Sequence, residues 1–261
     1  MKIHHPNCGT ELLPGAHLVS HVMLLETDAG LVLVDSGFGT HDHHDPAGRL
    51  GPSRYFTRPP LHLHETALHQ VHDLGFDRDD VRHIILTHLD SDHIGGLSDF
   101  PAATVHVSAA EALGGFHAPT RRERLRFRPT QWAHRPTVIE HSPGGEPWRG
   151  FAAARPLTEI APGIVLVPMP GHTRGHTAVA VDVGDRWILH CGDAFYHPGT
   201  LTGTSKGPMA LRAMETLIAF DRRQVRANHE RLAELYARRD PDLLIVCSHD
   251  PEMLALARSL S

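Results

Sequence analysis

The segment Thr87-His88-Leu89-Asp90-Ser91-Asp92-His93-Ile94-Gly95-Gly96 places four metal-capable side chains, His88, Asp90, Asp92 and His93, within six residues. Imidazole nitrogens and carboxylate oxygens together suit zinc, iron or manganese. Gly95 and Gly96 let backbone approach closely just behind those donors. A solvated polar loop is the plain alternative, because 24 of the 261 residues are histidine and some clustering arises by chance. Three further segments weigh against chance: Gly171-His172-Thr173-Arg174-Gly175-His176, Gly192-Asp193-Ala194 and Ser248-His249-Asp250. Each follows an apolar run of strand length, at 164–168, 187–190 and 243–246, just as the first segment follows the run 81–86. Loops that end separate strands can converge on one rim of a packed sheet.

The elements that must position these loops fall into two similar halves. Residues 21–26 and 31–35 are apolar strands separated by the turn formers Thr27-Asp28-Ala29-Gly30. This hairpin runs into the polar loop Asp35-Ser36-Gly37-Phe38-Gly39. Ala67, Leu68, Val71 and Leu74 sit at helical spacing within 65–74, and Gly75 ends that helix. Buried strands are expected at 81–86 and 104–107, and Ser108-Ala109-Ala110-Glu111 reads as a capping box that opens a helix. Residues 114–150 interrupt the pattern with Gly, Pro, aromatics and the arginines Arg121, Arg122, Arg124, Arg126 and Arg128, and are expected to form a lid or insertion. The second half offers strands at 164–167, 178–181 and 187–190, then helices at 208–221 and 224–239. A last buried strand at 243–246 and a terminal helix at 251–260 complete it. This order, β-rich then α twice over, predicts one α/β domain over 1–261, a four-layer αββα sandwich.

Composition narrows the function classes. Lys and Arg number 25 against 30 Asp and Glu, a net charge of −5, and this mild acidity argues against a dedicated nucleic-acid binder. With 41% hydrophobic and 21% charged residues the chain is ordinary globular protein, which excludes a disordered or coiled-coil reading. The N-terminus has no apolar signal core, and no apolar run reaches about 18 residues, so a soluble cytoplasmic protein with no membrane partner is expected. Cys8, Cys191 and Cys247 share no C-x-x-C spacing and make no disulfide framework; the last two follow apolar runs and read as small buried hydrophobes.

Taken together, the hairpin, Asp35-Ser36-Gly37, the 88–93 motif, Gly171-His172-Thr173, Gly192-Asp193 and His249 stand in the order of the metallo-β-lactamase superfamily of hydrolases. The chain resembles that superfamily over most of its length. The resemblance implies one metal held by His88, Asp90, His172 and a bridging Asp193, and another held by Asp92, His93, His249 and the same Asp193. Asp90 is a departure, since the usual motif has a second histidine there. The added carboxylate makes the site more anionic and harder, so zinc is expected for the two divalent ions, with manganese or iron gaining on it. Tyr196, three residues after Asp193, and Ser248-His249-Asp250-Pro251-Glu252 look like the N-acyl-homoserine lactonases within the superfamily.

The implied activity is metal-dependent hydrolysis, a bridging hydroxide cleaving a lactone or other ester of a small-molecule substrate. Tyr196 would meet the scissile carbonyl and Asp92 would carry the proton to the leaving group, with a packing aromatic as the alternative for Tyr196. A thioesterase of the glyoxalase II type, a mononuclear iron persulfide dioxygenase and a non-catalytic metal-binding module share these ligands. His176 and Asp35 are expected to support the ligands from behind. His41, His43, His44, His62, His64, His69 and His72 read as solvated surface, and His4 and His5 likewise. The arginine cluster reads as a solvated helix face in preference to a lid that attracts carboxylate or phosphate, while Leu125, Phe127 and Trp132 could line an acyl pocket. Oligomeric state is left open.

Overall fold

In the computed structural model, which describes residues 1–260, both faces of strand β5 (Gly30–Val34) are covered, and the layering follows from that. Its side chains alternate. Leu31 and Leu33 join one buried cluster with Val71, Leu97 and Phe100, while Val32 and Val34 join another with Val165, Val179 and Phe195. Strand β5 lies within a six-stranded sheet in the order β1 (Lys2–His4), β4 (Met23–Thr27), β5, β6 (Val81–Ile85), β7 (Thr104–Ser108), β8 (Thr137–His141). A five-stranded sheet runs β13 (Leu243–Val246), β12 (Trp187–His190), β11 (Thr177–Asp182), β10 (Ile164–Pro168), β9 (Arg155–Pro156). The second cluster fills the space between the sheets and continues on the other face of the five-stranded sheet, where it takes in Leu232, Leu235, Met253 and Ala257 from the helices Arg222–Ala237 and Pro251–Ser259. The first takes in Ala67 and Val71 from the helix Ala67–Asp73. Helix, sheet, sheet and helix are thus stacked in the expected four layers.

The topology sets the rim. Strands β5 to β8 are parallel, as are β12 and β13, and such strands deliver their carboxyl ends to one edge, where open α/β sheets bind ligands. Asp35 follows β5, the 88–93 motif follows β6, Asp193 follows β12, His249 follows β13, and His172 and His176 occupy the β10–β11 connection. Backbone bonds close this edge: Ser36 N to His93 O at 2.7 Å, Thr177 N to Thr87 O at 2.9 Å between the two sheets, and Ser248 N to Gly192 O at 3.1 Å.

Several elements differ from expectation. Strands β2 (Asn7–Leu13) and β3 (Ala16–His21) form an additional antiparallel hairpin, obscured in the sequence by polar residues at half-buried positions. Residues 114–150 contain the helix Arg121–Arg126 and strand β8, which pairs with β7 from Thr104↔Thr137 to Ser108↔His141. Ser108 caps its helix, accepting from Glu111 N at 3.1 Å, but the Glu111 carboxylate is used elsewhere. His5 is not solvated: it is buried, its Nδ1 2.8 Å from His21 Nε2, because the C-terminal helix covers it and Arg258 Nε donates to its carbonyl at 2.8 Å. The histidines from His41 to His72 are exposed, and all three cysteines are buried. Among the described residues no helix is long and apolar enough to cross a membrane.

Candidate metal centre

Among the described residues, donors from three or more His, Cys, Asp or Glu converge in two places: His88 with His172 and Asp193, and Asp92 with His93 and His249. Asp193 joins them. Its Oδ2 lies 3.8 Å from His88 Nε2 and 3.4 Å from His172 Nε2, and its Oδ1 lies 3.1 Å from His93 Nε2 and 3.0 Å from His249 Nε2. Asp92 Oδ2 is 3.4 Å from both His93 Nε2 and His249 Nε2, and those nitrogens are 3.4 Å from each other. Four donors held tetrahedrally at about 2.0–2.1 Å from zinc stand about 3.3 Å apart. Five edges of the group Asp92, His93, His249 and Asp193, at 3.0–3.4 Å, therefore already match those of a metal tetrahedron.

Each imidazole is aimed by its other nitrogen. His93 Nδ1 donates to Asp35 Oδ2 at 2.8 Å and His249 Nδ1 to Val19 O at 2.8 Å. His88 Nδ1 donates to Thr87 Oγ1 at 3.0 Å, and that hydroxyl donates onward to Asp35 Oδ2 at 2.7 Å. Asp35 makes these bonds from a left-handed backbone conformation (φ 59°), uncommon for a residue with a side chain. Nε2 of all three rings faces Asp193. His88 Nε2 and Asp193 Oδ1 are buried without a hydrogen-bond partner, a cost that a bound cation removes, so the donor set fits a divalent metal.

Supporting groups hold the loops. Glu111 clamps the two ligand loops together, accepting from Leu89 N at 3.0 Å, Thr173 Oγ1 at 2.7 Å and Gly175 N at 2.9 Å. His176 stands behind Asp193, its Nε2 accepting from Asp193 N at 3.0 Å and its Nδ1 donating to Met169 O at 3.1 Å. Gly192 permits this approach: its φ is +53°, and a Cβ there would stand 2.6 Å from His176 Nε2.

The carboxylates raise the affinity of two of these imidazoles for protons. Burial pushes the His93 and His249 imidazoles down, but the Asp193 and Asp92 carboxylates outweigh it, lifting His93 well above its ordinary value and His249 to about 9. Burial pushes the Asp193 and Asp92 carboxyls up, and the histidine charges overcome it, leaving both below the usual carboxylate range. A metal that takes these ligands must displace protons.

Asp90, expected as a ligand, has its Oδ2 3.0 Å from His172 Nε2 and 3.3 Å from His88 Nε2. Both of its oxygens accept from the Arg126 guanidinium, Oδ1 from Nε at 2.6 Å. Burial raises the Asp90 carboxyl, but Arg126 holds it well below the usual range. The solvated-face reading of the arginines is therefore corrected at Arg126, which turns beneath its helix. Arg121 and Arg124 are exposed, and Arg122 donates to the terminal carbonyls of Leu217 and Ile218 on the helix Met209–Ile218.

A cavity of ≈ 700 Å³ opens over the centre, with Asp90, Asp92, Asp193, Tyr196 and His249 at one end and Phe38, Leu50, Phe56, Leu125 and Met214 along its sides. The Tyr196 hydroxyl donates to Asp193 Oδ2 at 2.6 Å, and its ring stacks on His249 with centroids 5.3 Å apart. Phe127 and Trp132 pack instead into the core beneath the six-stranded sheet. Glu11, on β2, also lines the cavity; burial and the Asp92 charge push its carboxyl up to about 8. Its only sequence signal is a lone acid in a strand that polar residues disguise. Gly203-Thr204-Ser205-Lys206-Gly207 has the letters of a nucleophile elbow, but it follows the helix Gly199–Thr202 rather than a strand, and Ser205 is exposed away from the cavity.

Known proteins resemble this chain over most of its length. A probable metallo-hydrolase of Mycobacterium tuberculosis is 60% identical over 258 residues, covering 99% of this chain and 83% of that protein. An N-acyl homoserine lactonase of Bacillus thuringiensis is 24% identical over 188 residues, 68% of this chain and 65% of that one. A solved N-acyl homoserine lactone hydrolase, with the product N-hexanoyl-L-homoserine bound at its catalytic metal center, shares the fold with a TM-score of 0.71 at 22% identity, covering 98% of this chain and 95% of its own. The sequence profile of the metallo-beta-lactamase superfamily matches residues 16–249, from the N-terminal hairpin to the last histidine of the centre, and the chain belongs to that superfamily.

Proposed function

We propose that this metal-dependent hydrolase cleaves a lactone or other carboxylic ester of a small molecule bearing an acyl chain, at a centre for two divalent ions. One observation carries the reading: the two donor groups that share Asp193 close one end of a cavity with largely apolar sides. His88, His172 and Asp193 would hold one ion, and Asp92, His93, His249 and Asp193 the other, with Asp90 paired to Arg126. Zinc, or manganese or iron beside so many carboxylates, supplies Lewis acidity toward a carbonyl oxygen and water activation near neutral pH.

The remaining work belongs to the protein's own groups. Phe38, Phe56 and Leu125 exclude water and seat the acyl chain, which turns the ester bond toward the donors. Tyr196 has a single proton, donated to Asp193 Oδ2; exchanging that bond lets the hydroxyl donate to the carbonyl oxygen as charge develops there. The Asp92 carboxylate, partly exposed at the cavity end, would take a proton from the attacking water and hand it to the leaving alkoxide. The three buried free cysteines suit a reducing compartment, so the cytoplasm is the proposed place of action.

The test is turnover by metal-reconstituted protein across acyl lactones, aryl esters and thioesters, with oxygen uptake on persulfides followed in parallel. Lactone or ester hydrolysis that a chelator abolishes and a divalent metal restores is the expected result. Thioester turnover alone would move the reading to a thioesterase, and oxygen uptake with one iron per chain would overturn hydrolysis.

A further inference from the structure

The two halves of the centre are built from the same donor types, yet only one has a cationic side chain inside it. Arg126 spends every N–H within the protein. Nε and Nη2 bind the two oxygens of Asp90, Nη1 donates to His172 O at 3.0 Å and Ile218 O at 2.6 Å, and Nη2 also reaches His172 Nε2 at 2.7 Å. Those are five donors and five acceptors. The last contact decides the matter. His172 Nδ1 lies 3.3 Å from the Tyr196 hydroxyl, which already donates to Asp193, so that oxygen accepts from Nδ1 and Nε2 carries the lone pair. One lone pair cannot accept a guanidinium N–H and bind a metal ion at the same time. Asp90, the remaining donor on this side, is engaged on both oxygens by the same group. On the other side, His93, His249 and Asp92 pair with no arginine or lysine among the described residues.

Resting on the metal-dependent reading above, we propose that Arg126 is a built-in cation standing in for the second metal. The protein then holds one divalent ion tightly at Asp92, His93, His249 and Asp193, and a second only weakly at His88, His172 and Asp193. Filling the weak site requires Arg126 to leave His172. The Asp90 carboxylate neutralises the guanidinium and keeps it in place whenever the weak site is vacant. A chain with aspartate at position 90 and arginine at 126 therefore loads its two ions in a fixed order, the His249 side first.

The experiment is stepwise zinc titration of the full-length, metal-free protein against a chromophoric chelator. Wild type is expected to show two steps separated by at least about tenfold in dissociation constant. His172→Ala should lose only the weak step and His249→Ala the tight one. Arg126→Met should tighten the weak step by roughly tenfold or more while leaving the tight step in place, and adding Asp90→Asn should remove that gain. Circular dichroism checks that Arg126→Met is folded; if it is not, wild type and His172→Ala still decide. Two equal steps in wild type, loss of the tight step in His172→Ala, or an unchanged weak step in folded Arg126→Met would each overturn the proposal and leave the hydrolase reading standing. Failure of wild type to bind any divalent ion would remove both.

Discussion

Two groups of clustered histidines in this protein behave in opposite ways. In the candidate metal centre, His88, His93, His172 and His249 surround Asp193. Across β6, β7 and β8, His83, His106 and His141 step diagonally from strand to strand, His83 Nδ1 3.0 Å from His106 Nε2 and His106 Nδ1 3.0 Å from His141 Nε2. Glu159 pairs with the end of this ladder only at 3.8 Å. At His106, in the middle of the ladder, burial meets no carboxylate and pushes the ring down to about 3, whereas in the centre the carboxylates lift His249 to about 9. Within the ladder, lone pairs are met by the N–H of the next ring; in the centre the Nε2 atoms face one another around shared carboxylate oxygens. A carboxylate among the imidazoles, rather than burial or abundance of histidine, separates a candidate metal donor from a structural residue here.

The largest effect that would break this contrast comes from Asp193→Asn. Removing the shared charge should lower both metal content after dialysis and turnover by more than about a hundredfold, beyond the loss of a supporting residue. A folded Asp193→Asn protein that kept its metal would show that the carboxylate is not what distinguishes the site. Next in size is Asp35→Ala, which frees His93 Nδ1. Metal affinity measured by chelator competition should weaken by roughly 10–100-fold, with secondary structure retained.

On the ladder side the expected change is in acid stability. His106 has a folded value near 3 against an ordinary 6.5, so its contribution is complete above pH 6.5 and is lost as the pH falls toward 3. His106→Leu cannot take up that proton, and its thermal midpoint should fall less than that of wild type between about pH 7 and pH 4, with metal content unchanged. The smallest effect is at Glu11, whose carboxyl is raised to about 8 from 4.5. Stability present below pH 4.5 is lost as the pH rises through 8, so in metal-free protein Glu11→Gln should raise the melting temperature at about pH 8 by a few degrees and change nothing at about pH 4.5.

The candidate donor loops are legible in the sequence because each begins where an apolar strand ends; β6, β12 and β13 have parallel neighbours and end at the rim, and the His172 loop joins the antiparallel β10 and β11 there. Asp35 is legible for the same reason. Arg126 is not: it shares its helix with three other arginines, and spacing alone does not say which one turns inward. Glu111 carries the letters of a capping box, which conceal its use as a clamp between loops. His5 lies outside any apolar run and is buried only because a helix more than 240 residues away in the chain covers it. Local pattern places the donors, and contacts distant in sequence decide which of them are free.

The most direct measurement is X-ray anomalous scattering at the zinc edge from crystals loaded with zinc. The account predicts a peak enclosed by Asp92, His93, His249 and Asp193, and none along His83, His106 and His141. Zinc on the ladder, or no zinc beside Asp193, would contradict it.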